Sequence, residues 1–300
     1  MGAVGRPGLH VRPLAVSNEG RTVMADAPRV HVQGAGKMGR TLARALRAAG
    51  WNVSLRASRR GRPRHVDADI VLLAVRDGQL PAEAEAWQRI VPPHAVVLHV
   101  AGALGPDVLA PLRSCCRGVG QMHPLLSVVS RRGPVGFEGV HALVAGDASA
   151  RRWARRMARA LGMKPWRKDG VDRVAYHAAA WLVAGGAAAL CRAARDILVG
   201  EGIAPRQAEK MLAPLLRSVA DNVGHVGLPD ALSGVVRRGD VATLRKHVQV
   251  LSTATPEHLA LYLAAARAQI GMARELGDTS ARDLEQVERE LASVLWPTAK

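Results

Sequence analysis

Apolar and polar positions change their spacing once along the chain, near residue 170. Before that point, short apolar runs alternate with helical spacings. Val30-His31-Val32-Gln33 reads as a strand and runs directly into Gly34-Ala35-Gly36-Lys37-Met38-Gly39. Leu42, Ala43, Leu46 and Ala49 then recur at helical spacing as far as Gly50. Further strands are expected over 52–57, 70–75, 95–100, 118–122 and 141–145, with a short one over 164–167. Ile70-Val71-Leu72-Leu73-Ala74-Val75 is nearly continuous in apolar residues, as a strand covered on both faces should be. The run 118–122 is the poorest of the set. Helices are expected over 81–90, 106–113 and 150–162, the first of them stopped by Pro92 and Pro93. Strands and helices alternating at these lengths predict an α/β, doubly wound sheet.

Beyond Asp172 the helical period takes over. It predicts helices over 173–199, from Pro205 to about 225, over 241–251 behind an Asp240 cap, from Pro256 to 276, and over 281–295. Residues 1–27 have no periodicity and read as a disordered leader. The expected organisation is therefore a leader (1–27), a Rossmann-type domain (28–170) and an all-helical C-terminal domain (171–300).

The glycine stretch carries the first chemistry. Gly-x-Gly-x-x-Gly between a strand and a helix is a dinucleotide-binding arrangement. Gly34 would make the tight turn, Gly36 would let a pyrophosphate approach the backbone, and Gly39 would let helix and sheet pack closely. Ala35, Lys37 and Met38 fill the same turn, whose first-turn N–H groups would face the phosphates. Ala74 and Val75, at the polar end of the third strand, are placed beside it. NAD-preferring sites place a carboxylate near the end of the second strand. Here that region carries Arg56, Ser58, Arg59 and Arg60 instead. These donors suit a ribose 2′-phosphate, so NADP (NADPH) is the expected cofactor; an ordinary basic surface loop is the alternative.

Composition changes the picture modestly. Hydrophobic residues are 48% of the 300 but aromatics only 3%, so the core must be built from Ala, Leu and Val. The formal net charge of +17 could steer anionic ligands. No zinc-finger spacing, aromatic-rich recognition strand or compact basic helix argues for nucleic-acid binding. The cysteines Cys115, Cys116 and Cys191 have no metal-set spacing, and no metal site is expected. A reducing, cytoplasmic setting fits. No membrane span is expected, because Tyr176, His177 and two glycines interrupt the most apolar stretch, 174–191.

Several motifs resemble a known group. They are the glycine fingerprint, Asp69 to Asp77 at the third strand, His99-Val100-Ala101-Gly102 and Gly120-Gln121-Met122-His123-Pro124-Leu125. In the second half they are Tyr176-His177-Ala178-Ala179, Leu212-Ala213-Pro214-Leu215, Asn222, Ala231-Leu232-Ser233-Gly234, Arg237-Arg238-Gly239-Asp240 and Thr243-Leu244 with His247. Over roughly residues 28–275 the chain resembles bacterial proteins with a Rossmann-like domain and a helical domain of unassigned function. They belong to the 6-phosphogluconate dehydrogenase-like superfamily. Ketopantoate reductases, pyrroline-5-carboxylate reductases and deazaflavin-dependent NADP reductases are more distant relatives. Two departures stand out: Ala101 where such proteins typically carry Ser or Thr, and Gly185 where they typically carry Asn.

The candidate catalytic residues are histidines, whose unperturbed pKa lies near operating pH. His123 and His99 end neighbouring strands, and either could protonate a carbonyl oxygen or imine nitrogen as hydride arrives. Either could instead only order a loop. The resemblance places the start of the first long helix beside the crevice, which brings in His177, with Tyr176 as a core or interface residue. Asn222, Arg238 and Asp240 are the candidate substrate-binding residues, with loop-fixing or helix-bridging roles as their alternatives. The expected function is NADP-dependent hydride transfer to or from a small polar carbonyl or imine compound. Ala101 and Gly185 keep open a catalytically inactive dinucleotide-binding regulator or scaffold. A homodimer built by the helical domain is expected from its surplus of apolar residues.

Overall fold

The computed structural model describes residues 27–129 and 136–294, so the expected leader lies outside the described residues but for its last one. The chain divides into two compact units, Met1–Ala178 and Ala179–Lys300.

The first unit is built on a seven-stranded sheet among the described residues. Its strands are β1 (Arg29–Gln33), β2 (Asn52–Arg56), β3 (Ile70–Leu73), β4 (Val96–His99), β5 (Gly118–Pro124), β6 (His141–Gly146) and β7 (Lys164–Trp166). Their order is β2-β1-β3-β4-β5-β6-β7. The pairs from β2 to β5 are parallel, β6 runs antiparallel to β5, and β7 is parallel to β6. The chain leaves β1 for β2 on one side and returns to β3 on the other. This reversal of direction opens a crevice at the carboxyl ends of β1 and β3.

Helices cover both faces. α1 (Lys37–Ala48) and α3 (Ala148–Ala160) bury Leu42, Leu46, Ala154 and Met157 against Val30, Val32, Ile70 and Leu98. α2 (Leu80–Trp87) and a 3₁₀ helix over Pro106–Leu112 bury Leu80, Trp87, Leu109 and Leu112 against Val71, Leu73, Val97 and Val119. Residues 106–113 were expected to form an ordinary helix, but Pro111 lacks the N–H that an α-helical interior needs.

β5, the poorest strand by pattern, is the longest, and all of its residues but His123 are buried. Its glycines explain both facts. A methyl group on Gly118 would stand 2.3 Å from Ser149 Oγ, and one on Gly120 would stand 2.7 Å from the Ala145 carbonyl oxygen. Close packing of α3 and β6, not β propensity, selects those residues.

A long helix begins at Arg173 as α4 (Arg173–Trp181), continues through a π-helical turn over Leu182–Gly186, and resumes as α5 (Ala187–Gly200). The division between the compact units falls within α4, after Ala178, and the first turns of this helix reach the end of β5, where the Tyr176 hydroxyl meets His123. Within this 28-residue helix an 18-residue window reaches a mean hydropathy of 1.5, long and apolar enough to cross a membrane by length and composition only.

The second unit adds α6 (Pro205–Val226), α7 (Val241–Ala254), α8 (Pro256–Leu276) and α9 (Ala281–Ser293). Leu244, Leu251, Leu263, Ile270, Leu284 and Leu291 close one core among α7, α8 and α9. α5 and α6 bury only Ala193 and Ala208. Trp181, Leu182, Val183, Met211, Leu215 and Val219 are exposed.

Candidate functional site

The crevice at β1 and β3 is a cradle made by glycines with different jobs. Gly34 has φ +111°, and a methyl group there would stand 2.3 Å from the Ala74 carbonyl oxygen. A methyl group on Gly39 would stand 1.9 Å from the Gly34 carbonyl oxygen. Both glycines are demanded by the protein's own packing. Gly36 is not: nothing lies within 4 Å of the position its Cβ would occupy. It opens instead onto a pocket of about 560 Å³ that Ser58, Arg59, Ala74 and Val75 also line. Lys37, Met38 and Gly39 form the first turn of α1, which has no acidic residue and no side-chain cap. Its N–H groups are therefore available to an anion.

The arginines after β2 divide. Arg59 and Ser58 line the pocket. The Arg56 guanidinium turns back, donating from Nε to the Gly61 carbonyl at 2.9 Å and from Nη2 to the Arg60 carbonyl at 2.7 Å. Arg56 and Arg60 border a separate cavity beside His31 and Ser54. Two other arginines complete the cradle, Arg40 and Arg76. Arg40 is held by its Nε donating to the Ala35 carbonyl at 2.8 Å. The clue in the sequence was its place directly after the third glycine.

The carboxyl ends of β4 and β5 lie on the same edge of the sheet and carry a polar cluster. His99 is fully buried with both ring nitrogens engaged. Nδ1 accepts from the Ala101 N–H at 3.2 Å, so Nε2 carries the proton and donates to the Gly105 carbonyl at 3.1 Å. Burial pushes its pKa down to about 4. Gln121 Nε2 donates to the Ala101 and Leu104 carbonyls at 2.7 and 2.8 Å, so the same loop is held from a second side. Ala101 thus serves the loop with both backbone groups and offers no side-chain donor.

His123 is placed differently. Its Nδ1 meets the Tyr176 hydroxyl at 3.0 Å, and the two rings pack edge to face. A methyl group on Gly102 would stand 2.8 Å from His123 Nε2 and 2.9 Å from His177 Cδ2. The bare Gly102 therefore separates two imidazoles that converge from β5 and α4. Burial first, then the charges of His177 and Arg173, push His123 down to about 4. Tyr176 is raised by burial, so its hydroxyl keeps its proton at neutral pH. Tyr176 faces the cluster together with His177, although the two are adjacent in sequence. A half-buried Arg173 stands one turn before them, with Nη1 buried and without a hydrogen-bond partner among the described residues. No local pattern marks it, since an arginine at a helix start ordinarily points into water.

The remaining candidates belong to the second unit. Asn222 is exposed on α6. Asp240 caps α7, accepting from the Thr243 N–H at 3.0 Å, and this bond lowers its pKa. Arg238 is exposed, whereas its neighbour Arg237 fixes the loop through Asp278 and the Leu232 carbonyl. His247 Nδ1 meets the Tyr262 hydroxyl at 2.9 Å. Gly185 falls in the π-helical turn, where a methyl group would stand 3.0 Å from Trp181 Nε1. The Trp181 indole occupies the space a side chain at 185 would need.

Comparison with known proteins agrees with this architecture. Residues 140–269 match a family described as a domain of unknown function (DUF2520). No curated protein matches the chain. Among solved structures, a Bacteroides fragilis protein proposed as an NADP oxidoreductase superposes with a TM-score of 0.65 at 18% identity, covering 81% of this chain and 98% of its own. Pyrroline-5-carboxylate reductase from Streptococcus pyogenes gives 0.55 at 14% identity, covering 84% and 100%. A reductive aminase from Aspergillus terreus, in complex with NADPH and ethyl levulinate, gives 0.52 at 15% identity, covering 89% and 94%. The chain is a Rossmann-fold protein with a C-terminal helical domain, structurally related to pyrroline-5-carboxylate reductase and to NADP oxidoreductase-like proteins.

Proposed function

We propose that the protein is an NADP-dependent oxidoreductase that moves a hydride between the nicotinamide and a small polar carbonyl or imine compound. One observation carries the reading: the His123–Tyr176 pair stands over bare Gly102 on the same sheet edge as the glycine cradle. The cradle fits a dinucleotide, because Gly36 leaves open a position that no protein contact requires to be empty. The first turn of α1 would hold the diphosphate. Ser58 and Arg59, joined by Arg40, would hold a ribose 2′-phosphate.

The bound dinucleotide supplies the hydride. The chain supplies position and a proton. In the reducing direction the hydride adds to the carbonyl or imine carbon, the π pair moves to oxygen or nitrogen, and that atom takes a proton from His123 Nε2. The imidazole is returned to its neutral form with its proton on Nδ1, which donates to the Tyr176 hydroxyl oxygen and fixes the ring. His99 acts as a positioning residue through the loop that presents Gly102.

The apolar side of α5 and α6 is covered by a second copy of the chain. Exposed apolar faces of this extent mark a partner surface, and Met211, Leu215 and Val219 repeat at one-turn spacing as a helix-packing stripe does.

The test is NADPH absorbance loss with small 2-oxo acids, aldehydes and imines, for the natural protein beside His123→Gln. Substrate-dependent oxidation that falls on the order of a hundred- to ten-thousandfold in the variant is expected for a general acid. Tight NADPH binding with no oxidation across the panel would favour the inactive binder, in which Ala101 and Gly185 mark lost polar groups.

A further inference from the structure

Arg173, Tyr176 and His177 lie at i, i+3 and i+4 of α4 and so share one face of the helix. Tyr176 reaches His123, and His177 reaches the edge of Gly102. Arg173 therefore enters the same cluster from the turn before. Its Nη1 is buried without a hydrogen-bond partner among the described residues. The carboxylates nearest in sequence are engaged elsewhere. Asp172 accepts from the Val174 and Ala175 N–H groups at 2.8 and 3.0 Å, and Asp169 pairs with Arg167 at 2.6 Å. The groups that feel the Arg173 charge are His99, His123 and Tyr176, none of which is an anion at neutral pH. A guanidinium with a buried, unmet donor among neutral rings is an incomplete arrangement, because an arginine fork is completed by a planar oxyanion.

We propose that Arg173 binds a carboxylate on the substrate, so that the compound reduced is a small carbonyl or imine acid rather than a neutral carbonyl. This rests on the hydride-transfer reading above. The carboxylate takes the free donors of Arg173, and the reacting carbon and its oxygen or nitrogen are thereby set towards His123. Binding has a second effect. The carboxylate offsets one of the positive charges that, after burial, lower the His123 pKa, so an acid in the site favours the protonated donor. Discrimination between an acid and its ester is then expressed in turnover as well as in binding.

The experiment uses the full chain with Arg173→Gln and Arg173→Lys. Circular dichroism establishes that each is folded. Pyruvate, glyoxylate and 2-oxobutyrate are compared with their methyl esters as NADPH oxidants. Oxalate, which cannot accept a hydride productively, is titrated calorimetrically into the NADP⁺-loaded protein. The natural protein should prefer acid to ester in kcat/KM, and Arg173→Gln should cut that preference about ten- to a hundredfold, the range for a hydrogen-bonded charge. Oxalate affinity should fall by a similar factor, with Arg173→Lys in between. Oxalate that binds the natural protein and both variants equally, or fails to bind the natural protein, overturns the assignment. The two readings separate cleanly. Ester and acid reduced alike leaves hydride transfer standing and removes Arg173. Oxalate binding that depends on Arg173, with no probe reduced, keeps the anion site and removes the hydride reading.

Discussion

Two histidines one strand apart have the same depressed pKa and different consequences. His99 is neutral because it is buried, and both of its nitrogens are spent on the loop. An unfolded histidine titrates near 6.5, so the unfolded chain takes up a proton that folded His99 refuses until about pH 4. Stability associated with His99 is therefore complete above pH 6.5 and is lost as pH falls from 6.5 towards 4, amounting to about 3 kcal/mol. Urea midpoints measured across that window should fall with acid, and His99→Gln should flatten the slope while lowering the midpoint at pH 7. His123 has one nitrogen free towards the bare Gly102. It is faced by His177, Tyr176 and Arg173 from α4 and by His99 from β4. As the protonated donor in reduction, it should make kcat/KM rise about tenfold for each pH unit lost between 7 and its pKa near 4. A flat profile in His123→Gln would tie that limb to His123. Gly36→Val fills a space that only a ligand needs, so dinucleotide binding should be lost while the thermal midpoint is kept.

At the level of elements, what the sequence disclosed depended on whether a residue acts through its pattern or through its surroundings. β1, the glycine turn and α1 were readable because apolar period and turn chemistry agree there. α8 was readable to the residue, from Pro256 at its start to Gly277 after its end. β5 is poorly legible by pattern, since Gly118 and Gly120 answer to neighbours that only folding supplies. The π-helical turn and the role of Arg173 left no local signature. The arginines after β2 are the instructive case. Four donors in a run suggested a phosphate site, yet the Arg56 guanidinium is taken up by carbonyls of its own loop, and Arg59 alone of the three arginines there lines the cradle. Selectivity should follow that division. Calorimetry should show a preference for NADPH over NADH that shrinks about tenfold or more in Arg59→Gln, as loss of a charged hydrogen bond requires, with a smaller change in Arg60→Gln.

For the whole molecule, the contrast between the two halves of the helical unit governs assembly. α7, α8 and α9 close their own core, while α5 and α6 present leucines and valines outward. A chain covered by a second copy should give twice the 31.8 kDa monomer mass in light scattering, without detergent. Leu215→Glu with Val219→Glu should return it to monomer and leave NADPH affinity in place, since the cradle belongs to the sheet unit. A monomer of natural sequence that needs detergent to stay dispersed would favour lipid as the covering for the apolar helix.

The uncapped start of α1 has a use that does not depend on knowing the reaction. The amides of Lys37, Met38 and Gly39 have no acceptor within the helix, and no side chain caps the turn. In deuterated water they should exchange quickly while those of Leu42, Ala43 and Leu46, buried in the core, stay protected. Any ligand whose anion seats on that turn must slow those amides, whatever its identity. A library of phosphorylated metabolites could thus be ranked by protection at three positions, with the interior of the same helix serving as the reference in every sample.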